Sequence, residues 1–342
     1  MSADVFQATG MPPRIVFVIM SAVHSAKAVE ELARTLSPHR VLIHHDFAQT
    51  PGFGIDAPNA SFVPNPKRTG WAHWGFSEGI FHSLRHALQH LDFDYLQLLS
   101  PTCLPIKPLR EFETHVANPA FDAHFDCIDV AEDLDALMSV GYRAYTPAKS
   151  IRHRVLRRLS WAGYYGSGRY AIPRPMAGVQ LMGRKETGNW SASTLAAKVA
   201  LQVMQACRNP RIGRHIFDEH THPYFGSVWF GARRHIVAKL VDLFESRDIQ
   251  DYFSHLWIAD EFLIPTLLRQ SGARQGPSCH FVNTFIGANP VWFEPADFER
   301  LRSCGAYFAR KFRDDPADPI RRRVLKELVA STAIKPAVAS RA

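Results

Sequence analysis

The chain has 342 residues, 46% hydrophobic and 21% charged, with 40 basic against 32 acidic side chains and a formal charge of +8. That length holds one large α/β domain or two modest ones, and the charge favours acidic partners such as nucleotides, phospholipid headgroups or nucleic acid. Five scattered cysteines without a C-x-x-C pair exclude a disulfide framework, and no apolar run reaches the ~18–20 residues of a membrane span, so the chain reads as a soluble cytosolic protein with reduced thiols.

Residues 1–12 read as a disordered leader. The run from Arg14 to Met20 is continuously apolar and β-branched, the pattern of a buried parallel strand. Helical spacing follows over Ala26–Leu36, with Ser25 at the N-cap, and Arg40–His45 is a second strand. A helix is predicted over Ser77–Leu91, a strand over Tyr95–Leu99, a short helix over Pro108–Val116 and a strand over Phe125–Val130. This βαβαβ rhythm predicts a Rossmann-type, mostly parallel central sheet flanked by helices. Ligands in such sheets sit beyond the carboxyl ends of the strands, here Ser21–His24, His45–Asp46 and Ser100–Cys103.

Residues 131–225 read as an irregular, basic, helical insertion. Beyond it come a strand over Phe225–Phe230, helices over Arg234–Phe244 and from Asp260, a strand over His280–Ile286, helices over Pro295–Leu301 and Pro319–Val329, and a flexible tail over 331–342. A single domain over 13–330 is therefore expected, with a nucleotide-binding half at 13–130 and an acceptor-binding, catalytic half at 226–312.

Asp260 and Glu261 open an otherwise apolar helix. A carboxylate pair is costly to bury without partners or a task, and Glu261 could act as a general base; the alternative is that the pair caps the helix and complements its dipole. Arg310 and Lys311 could hold a diphosphate, or form a solvated basic pair. Asp92-Phe93-Asp94 matches a D-x-D metal pattern but precedes a strand, so it reads as a polar turn. The 17 histidines are densest at His44-His45 and His215–His222, with no H-E-x-x-H or C-x-x-C beside them, so no metal site is expected. Asp218-Glu219-His220 reads as a loop. Residues 149–161 could form a basic amphipathic helix lying on an anionic bilayer, or a solvated helix packed on the domain.

These segments, in chain order over about residues 14–312, resemble the core-2/I-branching glycosyltransferases, grouped with the peptide xylosyltransferases as glycosyltransferase family 14. Ile43-His44-His45-Asp46 resembles the family's I-H-V-D strand end, and Trp74-Gly75 before the Ser77 helix resembles its W-G-x-x-S segment. YLQLLSPTCLPIK, from Tyr95 to Lys107, resembles Y-x-x-L-L-S-G-x-D-x-P-L-K. Gly226–Phe230 with Arg234 resembles G-S-x-W-F and its following arginine, Ala259-Asp260-Glu261 resembles P-D-E, and Phe308–Phe312 reads F-A-R-K-F.

The resemblance implies a GT-A-like fold, a UDP-sugar donor and inversion at the anomeric carbon without a metal or other cofactor. It assigns Glu261 as base, Lys311 to the donor diphosphate and Asp46 to the nucleoside. Trp74, Ser100 and Arg310 fall on the donor side, with His280 nearest to the family's second phosphate-binding arginine. Trp229, Arg234 and Asp260 fall on the acceptor side. In the S-G-x-D block Pro101 and Cys103 replace the glycine and the acid, which leaves the sugar or acceptor specificity open.

The implied reaction moves a sugar, N-acetylglucosamine first among the candidates, to a glycan or lipid-linked saccharide hydroxyl with β linkage, as in bacterial surface polysaccharide synthesis. The expected location is the cytoplasm, peripheral to the inner face of the plasma membrane. A non-catalytic nucleotide-sugar or glycan binder is the second class. A nucleic-acid binder, supported by charge alone, lacks an RNP-like or zinc-finger pattern and is not expected.

Overall fold

A β-branched run with no polar face must be covered on both sides, and the first strand is. In the computed structural model, which describes residues 12–130, 216, 222–254, 256, 258–286 and 289–330, Ile15–Ser21 (β1) is buried at every position. Val16, Val18 and Met20 enter one core, whereas Ile15, Phe17 and Ile19 enter another. The two cores occupy opposite faces of one sheet, as alternation along a strand demands.

Ala26–Thr35 (α1) leads to Arg40–His45 (β2), then Ala60–Phe62 (β3), Trp74–His90 (α2) and Tyr95–Leu99 (β4). Leu104–Pro105 (β5), Leu109–Ala117 (α3), Ala123–His124 (β6) and Cys127–Asp129 (β7) follow. After the insertion come Tyr224–Gly226 (β8), Gly231–Arg233 (β9), Arg234–Phe244 (α4), Arg247–Phe253 (α5) and Asp260–Gln270 (α6). The remainder is Gln275–Gly276 (β10), His280–Val282 (β11), Phe285–Ile286 (β12), Asn289–Pro290 (β13), a 3-10 turn at Pro295–Asp297, Phe298–Ser303 (α7), Phe308–Arg310 (β14), Pro319–Val324 (α8) and a π turn at Leu325–Val329.

The central sheet runs β10-β6-β9-β4-β1-β2-β3. It is parallel except for β9, which is antiparallel to both β4 and β6. Chain order passes outward from β1 to β3 and then returns to the other side of β1 at β4. The crevice beyond the carboxyl ends of β1 and β4 is thus a topological switch point. A second sheet, β11-β14-β5, hangs from the turn after β4.

Several expectations change in detail. The strand expected at Phe125–Val130 shrinks to β7, which pairs with β8 in a separate ribbon, while β6, just before the expected range, joins the central sheet. At that ribbon a Cβ on Gly226 would lie 2.2 Å from the Asp126 carbonyl oxygen, so the motif glycine serves a close backbone approach. Of the strand expected at Phe225–Phe230 only Phe225 and Gly226 are extended, as the end of β8; the next strand, β9, begins just beyond it at Gly231. Helix α2 begins at Trp74 because His73 Nδ1 accepts the Gly75 N–H at 3.0 Å. Ser25 makes no side-chain cap; its N–H donates to Asp314 at 2.9 Å. The leader, the tail, the stretch 149–161, Asp218-Glu219-His220 and almost all of 131–221 lie outside the described residues. Among those described, no helix is long and apolar enough to cross a membrane.

Asp92 and Asp94 lie at the amino ends of β1 and β4, where both pair with Arg14. They form the polar turn expected of them, remote from the strands' carboxyl ends. Arg234 departs from the acceptor role assigned to it. Its guanidinium donates to the carbonyls of Leu88 (2.7 Å) and Leu91 (2.9 Å) and lies 4.7 Å from the Phe93 ring centroid, so it caps the carboxyl end of α2. Replacing Arg234 by alanine is expected to destabilise the fold by about 3 kcal/mol or more in urea denaturation, from the loss of two charge-assisted bonds and a cation–π contact. A midpoint equal to wild type would remove Arg234 from this structural role.

Candidate active site

The turn Ser100–Cys103 leaves β4 at the switch point and enters the small sheet as β5. Its side chains bind one another: Ser100 Oγ lies 2.8 Å from Thr102 Oγ1 and 3.3 Å from Cys103 Sγ. β5 pairs antiparallel with β14, and the Phe312 N–H donates to the Thr102 carbonyl at 2.9 Å. Ser100 is therefore buried and bonded within its own turn, and that turn is tied through β5 and the Thr102 carbonyl to the segment that carries Arg310 and Lys311. Those two residues leave the carboxyl end of β14 through a cis peptide bond. Their carbonyls accept from Asn283 and Phe293, each at 2.9 Å, so the basic pair is held from both sides.

Arg310 is the centre of the cluster. Its guanidinium carbon lies 4.9 Å from the ring centroid of Trp229. Burial works against its charge, and Glu261 works the other way. His280, one position into β11, lies beside it and is held neutral, its pKa lowered to about 3 by burial and then by Arg310. His24, just after β1, is also lowered, by burial and by Lys311 and Arg310, with Asp314 opposing. The Lys311 ammonium rests 4.1 Å from the ring centroid of Trp292, and its pKa is lowered by burial and by Arg310.

Arg310 Nε, both ring nitrogens of His280, Trp229 Nε1 and His24 Nδ1 are buried without a hydrogen-bond partner among the described residues. A buried polar atom left unpaired costs roughly 1–3 kcal/mol. Such atoms gathered around one cation mark a place shaped to receive a polar, anionic ligand.

Glu261 reaches this cluster from α6. Thr266 Oγ1 of α6 accepts the Tyr224 N–H of β8 at 3.0 Å, and Phe225 packs on Phe262 with ring centroids 5.0 Å apart. These contacts fix α6 against the chain that continues to Trp229. Ile258, a β-branched residue at φ 48°, turns the chain into the helix, a costly conformation of the kind that concentrates at functional sites. Pro265 has no N–H to give to the carbonyl four residues back, that of Glu261.

Burial raises the Glu261 pKa from 4.5 to about 7; Asp260 adds to the rise and Arg310 opposes it. Burial alone raises Asp260 to about 6. The pair does stand at the helix start, but neither carboxylate behaves as an exposed, fully ionised dipole partner would.

Two further expectations are redirected. Asp46 lies at the end of β2, but its carboxylate accepts from Gln49 Nε2 (2.8 Å), Thr69 N (2.6 Å) and Ala48 N (3.1 Å). Burial works against that charge, and these bonds still hold its pKa below the ordinary value. Asp46 thus anchors the 66–70 loop, and its oxygens are already engaged. Trp74 stacks on Phe244 at 5.7 Å in the apolar layer, so one face of its ring is committed to the core. Trp229, expected at the acceptor, lies against Arg310.

Residues that sequence reasoning did not single out are His24, Trp292 and Asp314. The first was visible as the end of β1; the other two carry no local signal. No protein-family model matches the chain, and comparison with curated proteins gives no significant match.

The folded Glu261 carboxyl holds its proton to about pH 7, whereas the unfolded chain releases it near 4.5. Stability from this group is therefore full below about pH 4.5 and is lost as pH rises through 7. Glu261→Gln should melt like wild type at pH 4 and be more stable at pH 8, by on the order of 2 kcal/mol. Equal stabilities at both pH values would show an ordinary, solvated carboxylate.

Proposed function

We propose that this protein is an inverting, metal-independent glycosyltransferase of GT-A type, taking a UDP-sugar as donor. The observation that carries the proposal is the convergence of Glu261, poised near neutrality, with the Arg310–Lys311 pair at the sheet's switch point. A base works best with a pKa near the working pH, and a leaving diphosphate needs cations already in place. Glu261 takes the proton of an acceptor hydroxyl, whose oxygen attacks the anomeric carbon from the face opposite the phosphate. Arg310 and Lys311 take up the charge on the departing UDP, with His280 and Trp229 as neutral hydrogen-bond donors beside them. The product is β-linked, with N-acetylglucosamine the first sugar to test. A lipid-linked or free glycan acceptor in polysaccharide synthesis fits the basic stretch at 149–161.

Glu261→Gln is expected to lower turnover by several hundredfold, within the ~10²–10⁴ that acid–base assistance supplies, while UDP binding persists. In the wild type, kcat/KM should rise with pH and level off above about 7, as Glu261 becomes ionised. Wild-type turnover in Glu261→Gln removes the residue from this role, and UDP-sugar binding without any glycan product supports the binding-protein reading instead. Lys311→Ala should weaken UDP binding by about 1.5–3 kcal/mol, measured by titration calorimetry. An unchanged dissociation constant would place the diphosphate elsewhere.

A further inference from the structure

We propose that His115, His124 and Cys279 form a binding site for one zinc ion, separate from the Glu261–Arg310 site. The residues are far apart in sequence and come from α3, β6 and the position before β11, so no spacing motif announces them. Their ligating atoms lie within 4.8 Å of one another. Ligands on a tetrahedral zinc stand ~3.3–3.6 Å apart, so side-chain rotations of about 1 Å close the site.

His124 supplies the second, independent observation. It is 1% exposed, its Nδ1 lies 2.8 Å from the Tyr95 hydroxyl, and its Nε2 has no hydrogen-bond partner among the described residues. A metal-bound imidazole has this division of labour, one nitrogen oriented by an outer group and the other offering its lone pair. A Cβ on Gly276 would lie 2.9 Å from that Nε2, so only glycine lets β10 pack this close to the imidazole. The Tyr95 hydroxyl also interacts with the Cys279 sulfur, tying two of the three ligands to one outer group.

His115 is half-buried, with its ring centroid 4.6 Å from that of His124, and three protein ligands leave the fourth tetrahedral position to water. Two imidazoles and a thiolate select zinc over the oxygen-seeking magnesium and calcium. On binding, the Cys279 S–H bond is replaced by an S–Zn bond and the proton passes to solvent. Arg233 lies close by, but its guanidinium donates to the carbonyls of Phe121, Val116 and Asn118, which order the chain between the two histidines. The ion joins β6 of the central sheet to the small sheet, because the Cys279 carbonyl accepts from Tyr307 (3.0 Å) and Phe308 (2.9 Å) at the start of β14.

The test is titration of the full, chelator-treated chain with Co²⁺ and then Zn²⁺. The expected result is one equivalent of Co²⁺ bound with a thiolate-to-cobalt charge-transfer band, displaced by Zn²⁺, and a higher melting temperature with Zn²⁺. Cys279→Ser should abolish the band. Because Cys279 is buried and that variant could fail to fold, His115→Ala on the half-exposed side of α3 is the second variant. It should keep its circular dichroism while binding metal at least roughly tenfold more weakly. No thiolate band in the wild type, a band that survives Cys279→Ser, or unchanged affinity in His115→Ala would each overturn the proposal.

Discussion

The constraint on which the site depends is the desolvation of a half-buried carboxyl group beside a guanidinium that is itself half-buried. Neither charge is comfortable in that place, and each moderates the other's cost. The balance does not produce a tight ion pair, because Glu261 also stands next to Asp260, and burial of both acids outweighs the help from Arg310. A carboxyl is thereby left that gives up its proton near neutrality, facing a cation with a donor still unengaged. A solvated Glu261 would be a weak base, and a fully paired one would be no base at all.

That balance is maintained by chain connectivity. The switch point delivers Ser100–Cys103 from the central sheet directly into β5, and β5 registers β14. On the opposite side β11 runs parallel to β14 and sets Val282 level with Arg310. The basic pair is thus carried on a strand held along both edges, which is a more precise mount than a loop. The base arrives on a helix whose first turn follows a left-handed residue and whose interior is buried at every position from Phe262 to Leu268.

What the sequence made legible follows from how far each signal reaches. Continuous β-branched runs and 3.6-residue spacing located β1, β2, β4, α1, α2 and α4, because those elements are long enough for periodicity to speak. β14 went unrecognised as a strand: three residues carry no period, and the basic pair drew attention away from the backbone. The site's poles, Glu261 and Arg310–Lys311, were visible as charges set in apolar surroundings. The engagement of Asp46 with Thr69, and of Arg234 with the end of α2, was not visible, since each partner is a backbone group whose position is set by tertiary structure. The same reason hid His115, His124 and Cys279, which meet only after three elements have packed.

The Arg14–Asp94 contact has a meaning beyond its charges. A strand buried on both sides has no wet side to reject a one-residue slip, which would merely exchange one greasy surface for the other. Asp94 prevents this at the strand's edge: its carboxylate takes the Arg14 N–H at 2.9 Å, and its own N–H returns to the Arg14 carbonyl at 2.8 Å. This reciprocal clasp fastens β1 to β4 like the first tooth of a zipper, and every residue farther along, up to the crevice itself, inherits its alignment from there.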